Sequence, residues 1–257
     1  MDITEIITDA VKYPFSDIKT LCIIGVVCLI ASFLGSLNGV TDNSAIVLLG
    51  SIASLILAII IAGYQLDVMK FAINLEDAMP SLDIKNNLIN GIKNIVVGIV
   101  YYIIPTIIVS ILGFALGGFA LMGLSNFNAT GKTPAEVASA IFTPQVISGL
   151  SIVIIVAIIL FVIFTLLALM GQCRLAKTGD IGNALSFSQS YNELREIGIG
   201  KTLGLVVLLY ILVCIILLIF FVIMLIPYLG MILVALFGSA IIMFIQCRSY
   251  GLLYSEL

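Results

Sequence analysis

Between Leu203 and Gln246 the chain runs 44 residues without an Asp, Glu, Lys or Arg, and nearly all of them are apolar. As one helix that stretch is about 66 Å long at 1.5 Å per residue, against roughly 30 Å of hydrocarbon in a bilayer. It must therefore cross a membrane twice. The turn falls near Ile226-Pro227-Tyr228-Leu229-Gly230, where Pro removes a backbone donor and Gly permits the bend. Composition extends the argument to the whole chain: its 257 residues are 62% hydrophobic and 10% charged. A soluble domain is about 45–50% apolar and about 25% charged, so this many charges cannot build a water-soluble surface.

Uncharged apolar runs of spanning length occur six times: Leu21–Leu37, Ala45–Tyr64, Ile95–Met122, Ser148–Gly171, Leu203–Ile226 and Tyr228–Gln246. The expected fold is all-α: a polytopic membrane helix bundle, residues 1–257 forming a single membrane domain. Ten of the 11 basic residues fall in the first lead, the connections after spans two and four, and the tail; Lys132 alone lies opposite. The positive-inside rule places that side, with both termini, in the cytoplasm. The start, Met1-Asp2-Ile3-Thr4-Glu5, is acidic and no A-x-A site follows, so the first span is expected to stay as an anchor.

The chain repeats itself. An acid–aliphatic–base triplet precedes each odd-numbered span: Asp17-Ile18-Lys19, Asp83-Ile84-Lys85 and Glu193-Leu194-Arg195. A glutamine ends each even-numbered span, in Gln65-Leu66-Asp67, Gln172-Cys173-Arg174 and Gln246-Cys247-Arg248, and the chain has only five glutamines. Three parallel hairpin repeats follow, approximately 1–71, 72–177 and 178–257. The leads are amphipathic. Ile3, Ile6, Ile7, Ala10 and Val11 share one helical face, as do Ile84, Leu88, Ile89 and Ile92; Ile181, Ala184, Leu185, Ser188 and Tyr191 form a weaker stripe. Such helices lie in the headgroup plane or pack under the bundle. On the other side, Asn38–Ser44 is a turn. The longer loop Gly123–Ile147 carries a helix start at Thr133-Pro134-Ala135-Glu136 and the sequon Asn128-Ala129-Thr130, a candidate glycosylation site.

Several chemistries are excluded or disfavoured. With no His, there is no His-dependent triad or His-ligated metal. A net charge of −3 offers no basic surface to nucleic acid. Cys22, Cys28, Cys173, Cys214 and Cys247 lack metal-ligand spacing, and the three inside apolar runs read as small buried side chains. No Asp, Glu, Lys or Arg stands inside a span, which disfavours ion-coupled transport through a membrane carboxylate. The remaining polar groups there are hydroxyls such as Ser32, Ser51, Ser54, Thr106 and Thr165, which commonly bond their own helix. Small residues four apart (Ala31, Gly35, Gly39; Gly50, Ser54, Ala58, Ala62; Gly113, Gly117) allow close helix packing within the chain, or with a second copy or a membrane partner. At the cytoplasmic rim Gln65, Asp67, Gln172, Arg174, Gln246 and Arg248 are candidates for lipid headgroup or inter-repeat contacts. The arginines can hold phosphates or pair with Glu193, Asp180 or Asp83, and Asp67 can serve either arginine.

The lead Lys12-Tyr13-Pro14-Phe15-Ser16-Asp17, the run Gly63-Tyr64-Gln65-Leu66, the connection Arg174-Leu175-Ala176-Lys177-Thr178-Gly179 and the ending Gly251-Leu252-Leu253-Tyr254-Ser255-Glu256 resemble those of an uncharacterised, largely archaeal family of multi-pass membrane proteins, domain of unknown function family 4013. The resemblance implies an archaeal plasma membrane and brings no activity, cofactor or functional residue with it. The residues themselves point to a non-enzymatic protein without metal or cofactor, acting as a membrane-organising or partner-binding subunit. The alternative is a passive transporter or channel for an apolar or lipid-like solute.

Overall fold

The computed structural model describes residues 1–118, 144–226 and 229–257, the side chains of 117, 118, 144–146, 229 and 231 aside. Asn128, Lys132, the helix expected after Thr133, and the turn residues Pro227 and Tyr228 lie outside the described residues. Among those described, the regular elements are helical: α1 Ile3–Lys12, α2 Ile18–Gly35, α3 Ser44–Ile73, α4 Ile84–Gly113, α5 Pro144–Thr178, α6 Ile181–Ala184, α7 Phe187–Ile197, α8 Ile199–Met224, α9 Leu229–Leu233 and α10 Ser239–Tyr254. Among the described residues six stretches are long and apolar enough to cross a membrane: Ile18–Gly35, Ser44–Ile73, Ile84–Leu116, Ile147–Thr178, Ile199–Met224 and Val234–Tyr254. The chain is a helical, multi-pass membrane protein.

The helices begin where their sequences cap them. Asp2 and Glu5 form a reciprocal capping box on α1, Asp17 accepts from Lys19 and Thr20 at the start of α2, Asn43 caps α3 and Ser186 caps α7. Each cap satisfies amide donors that have no partner inside the helix. Between α7 and α8 the chain turns at Gly198, whose φ of +103° is a conformation that side chains rarely adopt.

Helix ends depart from the apolar runs in one consistent way. α3 continues from Tyr64 to Ile73, α5 runs to Thr178 and α10 to Tyr254. α4 opens at Ile84, so the second lead is continuous with its span and is not a separate interfacial helix. At 30 residues, α3 is about 45 Å long and outreaches the hydrocarbon. The overhang has polar residues between apolar ones, so hydropathy ends early, but Leu66, Val68, Met69 and Ala72 are buried there. These overhangs, with α1, α6 and α7, build a polar cap at one end.

The chain forms two compact units, one of Met1–Gly98 with Leu169–Leu257, the other of Ile99–Ala168. In the first, α10 is the central helix: 61% of its spanning window is buried, against 11% for α3 and for α8. The small-residue stripes of α2 and α3 face each other, with Ser54 Oγ donating to Ala31 O at 2.8 Å and Gly35 opposite Ser54. α3 and α4 cross so closely that a Cβ on Gly63 would lie 1.8 Å from Asn87 O, and one on Gly91 1.8 Å from Ile59 O. Phe244 of α10 is fully buried, with edge-on rings of Tyr13 at 6.0 Å and Tyr64 at 5.9 Å. The second unit pairs α4 and α5 antiparallel: Tyr102 Oη and Thr165 Oγ1 are 3.3 Å apart, and Tyr102 stacks on Phe161.

The cysteines correct one expectation. Of the three inside apolar runs, Cys28 is buried, Cys22 half-buried and Cys214 exposed on the apolar surface. Cys173 and Cys247, just past the runs, are both buried because the helix overhangs pack under the cap.

Candidate functional site

The rim residues gather in the polar cap, and each arginine takes its partners from the chain itself. Arg248, in α10, is 2% exposed. Its Nε donates to Asp9 Oδ1 at 2.7 Å, its Nη2 to Asp77 Oδ1 at 2.9 Å and its Nη1 to Glu76 O. The guanidinium also stands 4.7 Å from the centre of the Tyr13 ring, a cation–π arrangement that strengthens as water is excluded. Tyr13 Oη donates to Ala78 O, and Tyr64 Oη to Pro80 O, so two phenols pin the connection that carries Glu76 and Asp77. Burial pushes the Tyr13 hydroxyl up to about 12, although the Arg248 charge pulls the other way.

Arg174, in α5, is held by the segment that follows it. Nε and Nη2 grip both oxygens of Glu193 at 2.8 and 2.5 Å, the forked geometry that suits guanidinium and carboxylate. Nη1 donates to Asn183 O and Ser186 O, and Nη2 also to Ser190 Oγ. Tyr254 Oη donates to Glu193 Oε1 at 2.8 Å and ties α10 to the same carboxylate. Glu193 was one of the acids weighed for Arg174; Asp180 instead caps α6, and Asp83 binds the amides of Lys85 and Asn86.

Asp67 serves neither arginine. Its Oδ2 accepts from Asn87 Nδ2 at 2.5 Å, and Asn87 Oδ1 in turn accepts from Asp83 N at 2.8 Å. The three positions nonetheless follow one rule. Asp67 bonds the start of the second hairpin, Arg174 the lead of the third, and Arg248 the lead of the first. The hairpins are thereby closed in a ring, first to second to third to first. Gln65, Gln172 and Gln246, two residues earlier in each case, are half-buried.

Reading the sequence missed Asp9, Tyr13, Glu76, Asp77, Asn87, Ser190 and Tyr254 as members of this cap. A signal for Asp9 was present in its match to Glu193. Asp9 lies seven residues after the cap residue Asp2, and Glu193 seven after the cap residue Ser186. Ile6 and Ala10 are buried on α1, Ser190 and Leu194 at the matching places on α7. α1 and α7 are thus equivalent lead helices that present an acid to an arginine. This revises the triplet alignment: Asp17 and Asp83 bind the first amides of spanning helices, whereas Glu193 sits inside α7 and matches Asp9.

Two further features complete the cap. Glu256 binds Lys201 Nζ at 2.6 Å and the Met1 ammonium at 2.8 Å. A cavity of about 210 Å³ lies between Leu66, Asp67, Lys70 and Asn90 on one side and 175–179 on the other. Among the described residues no group of three or more Cys, Asp or Glu is placed to hold a metal ion.

A family model described as a protein of unknown function, DUF4013, matches residues 46–245. The chain belongs to that family. The DUF4013 match takes in Gln65, Asp67, Gln172, Arg174 and Glu193; Asp9 and Arg248, which close the ring, fall outside it. No curated protein and no solved structure matches the chain.

Proposed function

We propose that this integral membrane protein is non-enzymatic and works by association, as a membrane-organising or partner-binding subunit of the plasma membrane with its polar cap in the cytoplasm. The observation that supports this reading is the saturation of the two buried guanidiniums. Arg174 and Arg248, the strongest binding groups in the chain, spend their donors on Glu193, Asp9, Asp77 and backbone carbonyls. They lock hairpins together and leave the lipid-facing helix surfaces for recognition, where close packing drives helix association.

The test is purification in a mild detergent followed by native mass spectrometry of the intact complex. A stoichiometric membrane-protein partner, or a second copy of the chain, is expected. A monomer that passes an apolar solute through proteoliposomes would replace this reading with passive transport. Orientation is tested separately, by labelling single cysteines at Ser255 and Asn128 on a Cys-free background. Ser255 should react only from the cytoplasmic side and Asn128 only from outside.

A further inference from the structure

The cavity beside Asp67 is lined by acceptors and by cations together. Asp67 and Asn90 line it together with the C-terminal end of α5, which carries the negative end of the helix dipole. One residue past that end, Gly179 O already holds an ammonium, accepting from Lys93 Nζ at 2.9 Å. Lys70 and Lys177 also line the cavity and are exposed, Lys177 with its ammonium 5.5 Å from the Tyr254 ring. No ion pair joins Asp67 to either lysine among the described residues. A plain anion would meet the Asp67 carboxylate, and a plain cation the two lysines. A group with both charges a few ångströms apart satisfies the acceptors and the lysines at once.

Depth narrows the source of such a group. Asp67 lies three residues beyond Tyr64 and Asn90 five before Ile95, the apolar ends of their spans. At 1.5 Å per residue both stand roughly 5–8 Å outside the hydrocarbon, and the headgroup layer is about 5–7 Å thick on each side. We infer that this cavity binds a zwitterionic aminoethyl phosphate group, with its ammonium toward Asp67, Asn90 and the α5 carbonyls and its phosphate toward Lys70 and Lys177.

The full chain is tested by native mass spectrometry from detergent micelles doped equally with dioleoyl phosphatidylethanolamine, phosphatidylcholine and phosphatidylglycerol. The ethanolamine lipid should be the retained adduct, because choline offers no N–H to the acceptors and glycerol no positive charge. D67N, which keeps the shape and removes the charge, should lower that adduct about tenfold, the scale of one charge-assisted hydrogen bond. K70Q should lower it comparably, with helix content unchanged in both. K70Q carries the test alone if D67N fails to fold. Equal retention of the three lipids, preference for phosphatidylglycerol, or an adduct indifferent to D67N and K70Q overturns the inference. Soluble O-phosphoethanolamine distinguishes the source: displacement of the lipid assigns the site to a soluble ligand of this chemistry, and no displacement assigns it to the headgroup.

Discussion

Arg248 Nε meets Asp9 Oδ1 at 2.7 Å across 239 residues of sequence, and this bond joins the last helix to the first. The two acids on Arg248 are not equal: Asp9 is 38% exposed and Asp77 93%. Water screens Asp77 almost completely, so its pairing contributes little. Asp9 neutralises a guanidinium that cannot reach water, and without it a buried charge is left under-compensated.

The two substitutions should therefore separate. Asp9→Ala is expected to cost about 3 kcal/mol, the low end for breaking a buried pair because Asp9 is itself part-exposed. Asp77→Ala should leave the midpoint of unfolding in an SDS titration, followed by far-UV circular dichroism, where it is in the wild type. Equal losses for the two variants would mean that Arg248 is held by charge alone, without regard to burial.

Arg174 tests shape in place of charge. Arg174→Lys keeps the positive charge but cannot fork onto both oxygens of Glu193 while reaching Asn183 O and Ser186 O. A loss of about 2–3 kcal/mol is expected from the forfeited charge-assisted bonds. In a double-mutant cycle with Glu193→Gln, the second substitution should cost less in the Lys background than in the wild type. Additive losses would refute a specific Arg174–Glu193 fork.

How far the cap was legible follows from where its partners lie in the chain. The spans announced themselves, because 20 apolar residues in a row have few other uses. The Gln-x-[Arg/Asp] spacing marked Asp67, Arg174 and Arg248 as matching places, and each of the three bonds a residue of a neighbouring hairpin. Their partners were less accessible. Glu193 is 19 residues from Arg174 and was within reach of a local argument; Asp9 and Asp77 are 239 and 171 from Arg248. Hydropathy also misplaced the helix ends at the cap. It reads Gln65, Asp67 and Lys70 as the end of a span, whereas Val68 among them and Ala72 just beyond are fully buried. Pattern identifies a helix that faces lipid all round more readily than one that passes from lipid into a packed polar layer.

The crossing of α3 and α4 supplies a steric prediction. A methyl on Gly63 or Gly91 would fall 1.8 Å from a backbone carbonyl oxygen of the facing helix, and backbone cannot swing aside as a side chain can. Gly63→Ala and Gly91→Ala should each cost about 2 kcal/mol or more through forced separation of the helices. Gly98, also in α4, has nothing within 4 Å of the same methyl. Gly98→Ala should be neutral or slightly stabilising, given alanine's advantage of about 1 kcal/mol in a helix. Equal losses at Gly63 and Gly98 in the same SDS titration would show that backbone flexibility, and not close approach, is what these glycines supply.

Tyr13 gives the cap a signature in alkali. Burial is the main cause that raises its hydroxyl from 10.0 to about 12, with Arg248 opposing, and the proton is donated to Ala78 O at 3.1 Å. Between those two values the folded protein holds a proton that the unfolded chain has released. Stability must then fall as pH rises through the window. At 1.36 kcal/mol per unit the loss approaches about 3 kcal/mol near pH 12 and is absent below pH 10. Tyr13→Phe removes both the bond and the titration. It should be less stable than the wild type by about 1 kcal/mol at pH 7 to 9, the net worth of one hydrogen bond. Above pH 10 the wild type alone carries the Tyr13 penalty, so the gap should close and then reverse. All other ionising groups are common to the two proteins and cancel in the difference. A gap that stays constant from pH 8 to pH 12 would show that the Tyr13 hydroxyl is solvated, and the pinning of 76–78 beneath Arg248 would have to come from elsewhere.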